Sequence, residues 1–274
     1  PFAQTEWTAV PDAKGWRWST LARAERVKDG DLITNSQRLR FGRFRAEDHI
    51  DRNVYLQYDH ATVRTESGAP VNASDAGDGS ALSANYQWTG RYFDQLPTPS
   101  SGYGVGFELG GGVTLEGDRA LFQRTVVRGV MLRPLKEGRL QLRAEGGAVL
   151  ARSNATVPSS QLFRTGGDTT VRGYGYRDIG VPMADGRTGP GRLLAVGSVE
   201  WQRPIRRGGV PSDFESVLFV DAGAVGDRPR DMRLHVGAGA GVRWKSPVGP
   251  VEASLAYGFK AKRVRLHFTV GFTF

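Results

Sequence analysis

The C-terminal stretch of the chain alternates apolar and polar residues more regularly than any other part. From residue 264 to residue 274, every second residue is apolar, and those between are charged, polar or glycine. A period of two predicts a β-strand with one apolar and one polar face. About ten residues of tilted strand cross a bilayer core, whereas strands of soluble sandwiches are usually shorter. The apolar face, predicted to contact lipid, consists of Val264, Leu266, Phe268, Val270, Phe272 and Phe274.

Three other segments, 103–115, 234–244 and 251–259, show the same alternation. The polar faces of 103–115 and 234–244 are rich in glycine, which either lets a loop or plug approach the inner wall or permits strong coiling of the sheet. Weaker alternation predicts nine further strands, so the chain is expected to be all-β, with about thirteen strands and almost no helix. The nine are 2–9, 15–27, 34–45, 52–65, 81–92, 120–133, 139–152, 191–204 and 215–226.

Composition is compatible with a membrane protein that crosses by strands. The chain has 274 residues, of which 39% are hydrophobic, and no run of 18 apolar residues. A transmembrane β-barrel keeps its mean hydropathy low because only alternate residues face lipid. The net charge is +9, but the basic residues alternate with apolar ones in strands. Anionic lipid headgroups and a polar barrel interior are therefore better partners for this charge than nucleic acid.

Residues for catalysis or metal binding are not grouped in the sequence. The chain has no cysteine, and its four histidines, at 49, 60, 235 and 267, lack the spacing of metal ligands. The glycines at 237, 239 and 241 lie inside an alternating segment and open no helix, so they do not indicate a nucleotide loop. We therefore expect no enzyme activity, no metal and no cofactor.

A loop of 18 residues, 163–180, interrupts the predicted strands with the sequence FRTGGDTTVRGYGYRDIG. Loops this long inside a compact domain are usually functional or disordered. Its GGD-x-x-VRGY-x-Y pattern resembles the long-loop signature of the outer-membrane protein assembly superfamily, which includes BamA, TamA and the two-partner secretion transporters. The TamA-type members are the most similar. The motif residues are Gly166, Gly167, Asp168, Val171, Arg172, Gly173 and Tyr174.

Other segments extend this resemblance. The stretches DQLPTPSSG at 94–102 and WKSPVGP at 244–250 are similar to turn motifs of the superfamily, and FVDAG at 219–223 is similar to its F-x-D-x-G strand motif. The resemblance implies a transmembrane antiparallel β-barrel of sixteen strands, with the long loop folded inward after the eleventh. Five predicted strands follow the loop here and eight precede it. We therefore expect residues 1–274 to form the C-terminal part of such a barrel, without its first three strands and its POTRA domains.

The resemblance also implies a lock between the loop and the barrel wall. In the superfamily, the arginine of the motif reaches into the lumen and pairs with carboxylates, and Arg172 matches it. Asp221 matches the strand motif, and Glu200 is the expected second partner, because alternation places both carboxylates on the inner face. The lock either stabilises the loop or takes part in substrate insertion. Gly173 and Tyr174 are expected to set the turn and pack the loop tip, and Asp168 to cap backbone N–H groups.

The function implied by the resemblance is mechanical. The protein is expected in the bacterial outer membrane, where it assists insertion or translocation of outer-membrane proteins such as autotransporters. The last strand, 263–274, would pair weakly with the first, open sideways and template a client strand. Expected partners are membrane lipid and lipopolysaccharide, client proteins and a TamB-like protein that spans the periplasm. The alternatives are a BamA-like barrel, a two-partner secretion transporter and a passive porin-like channel.

Overall fold

A computed structural model of the chain describes residues 1–29, 32–68, 71, 76–96, 98–117, 119–184, 186–247 and 249–271. Thirteen antiparallel strands form one sheet in this part of the chain. The first eight are β1 (Phe2–Thr8), β2 (Arg17–Asp29), β3 (Leu32–Ala46), β4 (Ile50–Thr65), β5 (Gly79–Phe93), β6 (Gly102–Thr114), β7 (Leu121–Leu135) and β8 (Gly138–Ala151). The last five are β11 (Leu193–Arg207), β12 (Val210–Gly226), β13 (His235–Ser246), β14 (Gly249–Gly258) and β15 (Arg263–Val270).

Every strand predicted from alternation is present, and most of the predicted ends agree within a few residues. Two additional short strands, β9 (Val181–Pro182) and β10 (Thr188–Gly189), pair with each other in the segment 152–192, which connects β8 to β11. This segment contains the predicted loop 163–180 and is called the loop below. The sequence does not predict them, because two residues are too few to show a period. A single turn of 3₁₀-helix follows β12 at Pro229–Asp231. Within the described residues, no helix has the length and apolar character needed to span a membrane.

Neighbouring strands of the sheet are also neighbours along the chain, with one exception. β8 pairs with β11, so the sheet continues across the long loop that connects them. In this register, Val199 of β11 lies between Leu142 of β8 and Val220 of β12. The segment 152–192 leaves the sheet here and folds against its inner face.

The two faces of the sheet differ in exposure as the alternation predicts. On β15, Phe268 is 59% exposed, whereas His267 is only 3% exposed. Val264, Leu266 and Val270 also lie on the exposed face. The apolar residues from 264 to 270 thus lie on the exposed face, while the last two of the set, Phe272 and Phe274, lie outside the described residues.

The inner face is less polar than the sequence suggests. Phe163, Val171, Tyr174 and Ile179 of the loop belong to one buried apolar cluster together with wall residues. The wall residues of this cluster come from β5, β7, β8, β11 and β12: Ala81, Phe122, Val126, Val149, Leu194, Val196 and Val225. Contacts from so many strands to a single loop require the sheet to curve around it. The loop therefore has its own hydrophobic core inside the curved sheet, which the short and scattered apolar positions of its sequence do not reveal.

Candidate functional site

Arg172 lies at the centre of a buried network of charges beneath the loop. Its Nε and Nη2 donate hydrogen bonds to Oδ2 and Oδ1 of Asp221 at 2.8 and 3.0 Å, and its own backbone N–H also donates to Oδ2. Nη1 donates to Glu200 and to Glu252, both at 2.9 Å. A planar guanidinium suits this two-pronged contact with a carboxylate. The structure thus brings together the three residues that the sequence singles out, and adds Glu252.

The network continues to a second arginine. Arg243, on β13, donates through Nη2 to Glu200 and Glu252 at 2.5 Å, so both glutamates bridge it to Arg172. Arg143, on β8, donates to the carbonyl of Thr170 at 3.1 Å. Buried ions are costly unless they are paired and hydrogen-bonded. Each carboxylate of the network has an arginine partner, so loop and wall neutralise each other's charge.

Burial alone would lower the pKa of Arg172, because it removes the guanidinium from water. Hydrogen bonding and charge from Asp221, with the charges of Glu200 and Glu252, outweigh this effect and raise the pKa above its ordinary value. Arg172 therefore stays protonated over the whole range in which proteins fold, and the network does not open through loss of its proton.

Sequence reasoning places Glu252 and Arg243 on the inner face but does not connect them with the loop. They are direct partners across the β13–β14 ladder, which makes them a cross-strand ion pair. Their contact with Arg172 depends on how deep the loop enters the curved sheet. In the sequence, alternation shows only that each of the two side chains faces inward.

A histidine on the last strand holds the same motif. His267 accepts a hydrogen bond at Nε2 from the backbone N–H of Gly173, at 2.8 Å, and its Nδ1 contacts Asp168. These partners assign the proton of a neutral imidazole to Nδ1. The sequence predicts that Asp168 caps backbone N–H groups; in the structure its contact is with His267, and Thr170 Oγ1 accepts from Gly166 instead. The motif is thereby attached to β15.

The loop tip packs as the sequence predicts. Gly173 has a φ of +92°, and a Cβ there would lie 2.7 Å from the backbone nitrogen of Gly258. The hydroxyl of Tyr174 donates to the carbonyl of Val236 and accepts from the N–H of Lys260, both at 3.1 Å. Glycine is required at the turn, and the tyrosine fixes the tip between β13 and the β14–β15 connection.

Glycines of the inner wall make room for the loop. A Cβ added to Gly237 would lie 1.9 Å from the carbonyl oxygen of Arg172, and one added to Gly147 would lie 2.6 Å from the ring of Phe163. Of the two explanations for inner-face glycines, close approach of a loop holds at these positions. On β6 it does not, because the nearest atoms to an added Cβ at Gly112 belong to the sheet itself.

We predict that Gly237→Ala displaces the loop, since backbone atoms line the space that the new methyl group would need. Overpacking of this kind costs about 1–3 kcal/mol. Loop displacement should appear as faster protease cleavage within 163–180 of the folded protein. Gly197→Ala is the control, because the nearest atom to an added Cβ there is 4.0 Å away. Equal cleavage of the two variants would contradict the assignment.

The site attaches the loop to the wall through ion pairs and hydrogen bonds, without a covalent bond. Its polar groups are arginines, carboxylates, one histidine and backbone amides that bind one another. Among the described residues, no group of three or more His, Cys, Asp or Glu side chains is arranged to hold a metal ion. These contacts hold the loop against six strands, β8, β11, β12, β13, β14 and β15.

Comparisons with known proteins agree with this architecture. Residues 18–274 match the model of the Omp85 superfamily domain. The chain is 35% identical over 123 residues to outer envelope protein 80, chloroplastic, of Arabidopsis thaliana, which covers 40% of this chain and 15% of that protein. It is 32% identical over 123 residues to outer membrane protein assembly factor BamA of Nitratidesulfovibrio vulgaris, covering 43% and 15%.

Solved structures show the same fold. The structure of BamA from Haemophilus ducreyi lacking POTRA domains 1–3 superposes with a TM-score of 0.70 and 17% identity, over 100% of this chain and 62% of that one. CdiB from Acinetobacter baumannii superposes with a TM-score of 0.56 and 14% identity, over 94% and 47%. The chain thus spans less than two thirds of each of these relatives. The likeness confirms the predicted all-β, barrel-type fold.

Proposed function

Because the chain belongs to the Omp85 superfamily of outer-membrane β-barrels, we propose that it assists the insertion or translocation of proteins at the bacterial outer membrane. One observation carries the proposal: a single loop is held by buried ion pairs inside the sheet and is also bound to the last strand. Arg172 makes the first attachment and His267 the second. Attachment or release of the loop therefore changes the contacts of β15, the strand with which a client strand would pair.

The mechanism uses no cofactor and no energy source. Sheet edges carry unpaired N–H and C=O groups that template the addition of a strand. β15 is the last strand of the described sheet, and within the described residues it pairs with β14 only. If the weak pairing between this last strand and the first strand of the barrel opens, a client strand can pair with the exposed edge of β15. Release of Gly173 from His267 would remove an inner contact of this strand and make opening easier.

The superfamily resemblance supports TamA-type assembly of autotransporters with a TamB-like partner, and the net charge of +9 supports contact with anionic lipid and lipopolysaccharide. The similarity to a protein named as an assembly factor supports BamA-type insertion equally, and the similarity to CdiB supports a two-partner secretion transporter. Reconstitution distinguishes them by client. Proteoliposomes that hold the intact protein should assemble an autotransporter barrel if it is of the TamA type, and outer-membrane barrels in general if it is of the BamA type. If it is a two-partner secretion transporter, they should translocate a secreted partner protein.

A passive porin-like channel is the rival from another class. It would need no loop fixed by three carboxylates, so the buried network favours a plugged barrel. We predict that deletion of 163–180 from the intact protein strongly raises its ion conductance in planar bilayers and abolishes client assembly. An unchanged conductance would favour the open channel. Assembly that persists without the loop would contradict the proposed role of the loop.

A further inference from the structure

A second group of contacts holds the loop on a distant part of the sheet. Asp59, on β4, is fully buried. Its Oδ1 accepts hydrogen bonds from Ser160 Oγ and Arg38 Nε, both at 2.9 Å. Its Oδ2 accepts from Gln161 and Gln57, both at 2.5 Å. Ser160 and Gln161 belong to the loop, whereas the two other donors belong to β3 and β4, so this carboxylate joins the loop to the wall.

The wall also binds the backbone of the same two loop residues. Arg38 donates through Nη2 to the carbonyl of Ser160, and Arg124, on β7, donates through Nε to the carbonyl of Gln161, both at 3.0 Å. The preceding residue, Ser159, donates its N–H to the carbonyl of Gly77 at 2.7 Å. Side chains and carbonyls of this short segment are thus bound by strands β3, β4 and β7, far from the motif.

The two attachments lie on different parts of the sheet. In strand order, β4 is separated from β12, which carries Asp221, by β5, β6, β7, β8 and β11. Along the loop, Gln161 precedes Arg172 by eleven residues, and Gly166 and Gly167 lie between them with φ values of +108° and +111°. Glycine adopts positive φ without steric cost, and here it forms a closed turn in which Gly166 donates to Thr170 Oγ1 and Gly167 to the carbonyl of Val171. The motif is thus folded on itself between the two attachments.

We infer that Asp59 is a second anchor of the loop, independent of the Arg172 network. This inference rests on the proposed function: when the Arg172 contacts release, the anchor at Ser160 and Gln161 keeps the loop inside the barrel. The motif then leaves β15 free while residues 160 and 161 stay bound to the wall. Because the loop stays tethered, it returns to the same carboxylates after a client has passed.

Two glutamines provide a matched test. Gln161 and Gln57 donate to the same oxygen of Asp59 at the same distance, but only Gln161 belongs to the loop. In the intact protein in lipid nanodiscs, hydrogen exchange is followed separately in segments 157–163 and 168–176. Loss of one hydrogen bond to a charged group should speed exchange about tenfold. Gln161→Ala should do so in 157–163 only, and Gln57→Ala should not do so in either segment. Arg172→Ala removes four side-chain hydrogen bonds, so it should speed exchange by more than tenfold, but in 168–176 only.

Two outcomes would overturn the inference. Either Gln161→Ala and Arg172→Ala each loosen both segments to the same extent, or Gln57→Ala loosens 157–163 as strongly as Gln161→Ala. Ser160→Ala, which removes a different donor to Asp59, provides a second loop variant if Gln161→Ala fails to fold. No client protein is present in this experiment, so its result is independent of whether the barrel inserts or translocates proteins.

Discussion

Arg172→Ala is expected to loosen the loop and sharply reduce client assembly while the barrel still forms. The substitution removes the guanidinium that binds Asp221 and leaves Glu200 and Glu252 with Arg243 as their arginine partner. Removal of one partner from a buried ion pair costs about 3–5 kcal/mol. The strand ladders do not depend on this contact, so insertion into the membrane should persist. Protease cleavage within 163–180 and client assembly in proteoliposomes measure the two effects.

A second substitution separates lost attachment from uncompensated charge. Asp221→Asn added to Arg172→Ala removes one of the unpaired carboxylates, so it should recover part of the lost stability without restoring client assembly. A charge swap between these two residues is a weaker test, because Glu200 and Glu252 would then face a new carboxylate at position 172. If Arg172→Ala leaves both protease resistance and client assembly unchanged, the network is not a lock.

Phe268→Arg is expected to impair membrane insertion far more than Thr269→Arg. Phe268 is 59% exposed on the outer face of β15, whereas Thr269 faces inward and pairs in register with Glu252. A charge facing lipid near the bilayer midplane costs about 2–4 kcal/mol. An arginine at position 269 instead enters a polar space beside a carboxylate. The fraction of heat-modifiable, folded protein in isolated membranes measures insertion of each variant.

Leu266→Arg and His267→Arg, on the same strand, provide an independent pair for this test. Leu266 is exposed and His267 is buried, so the first variant should insert poorly. His267→Arg should insert but lose the hydrogen bond from Gly173. Equal insertion of Phe268→Arg and Thr269→Arg would contradict the assignment of the two faces.

Sequence alone determined the strands and their faces. Period-two alternation is a local property, because successive side chains of a strand point to opposite sides whatever lies beyond. It therefore predicted all thirteen strands of the sheet, and it placed Asp221 and Glu200 on the inner face before any contact was known. The glycine-rich pattern likewise identified the loop, and its resemblance to the superfamily motif implied that the loop folds inward.

Only the tertiary structure decided which inner residues meet. Pairing of β8 with β11 and the curvature of the sheet bring Glu252, Arg243 and His267 to the loop, although 71 to 95 positions separate them from Arg172. Asp59 lies 101 residues from Ser160 and has no motif around it. Alternation predicts that each of these side chains points inward. It does not predict how deep the loop enters the curved sheet or which strands the loop contacts. Those distances depend on the curved sheet and on the hydrophobic core that the loop forms inside it.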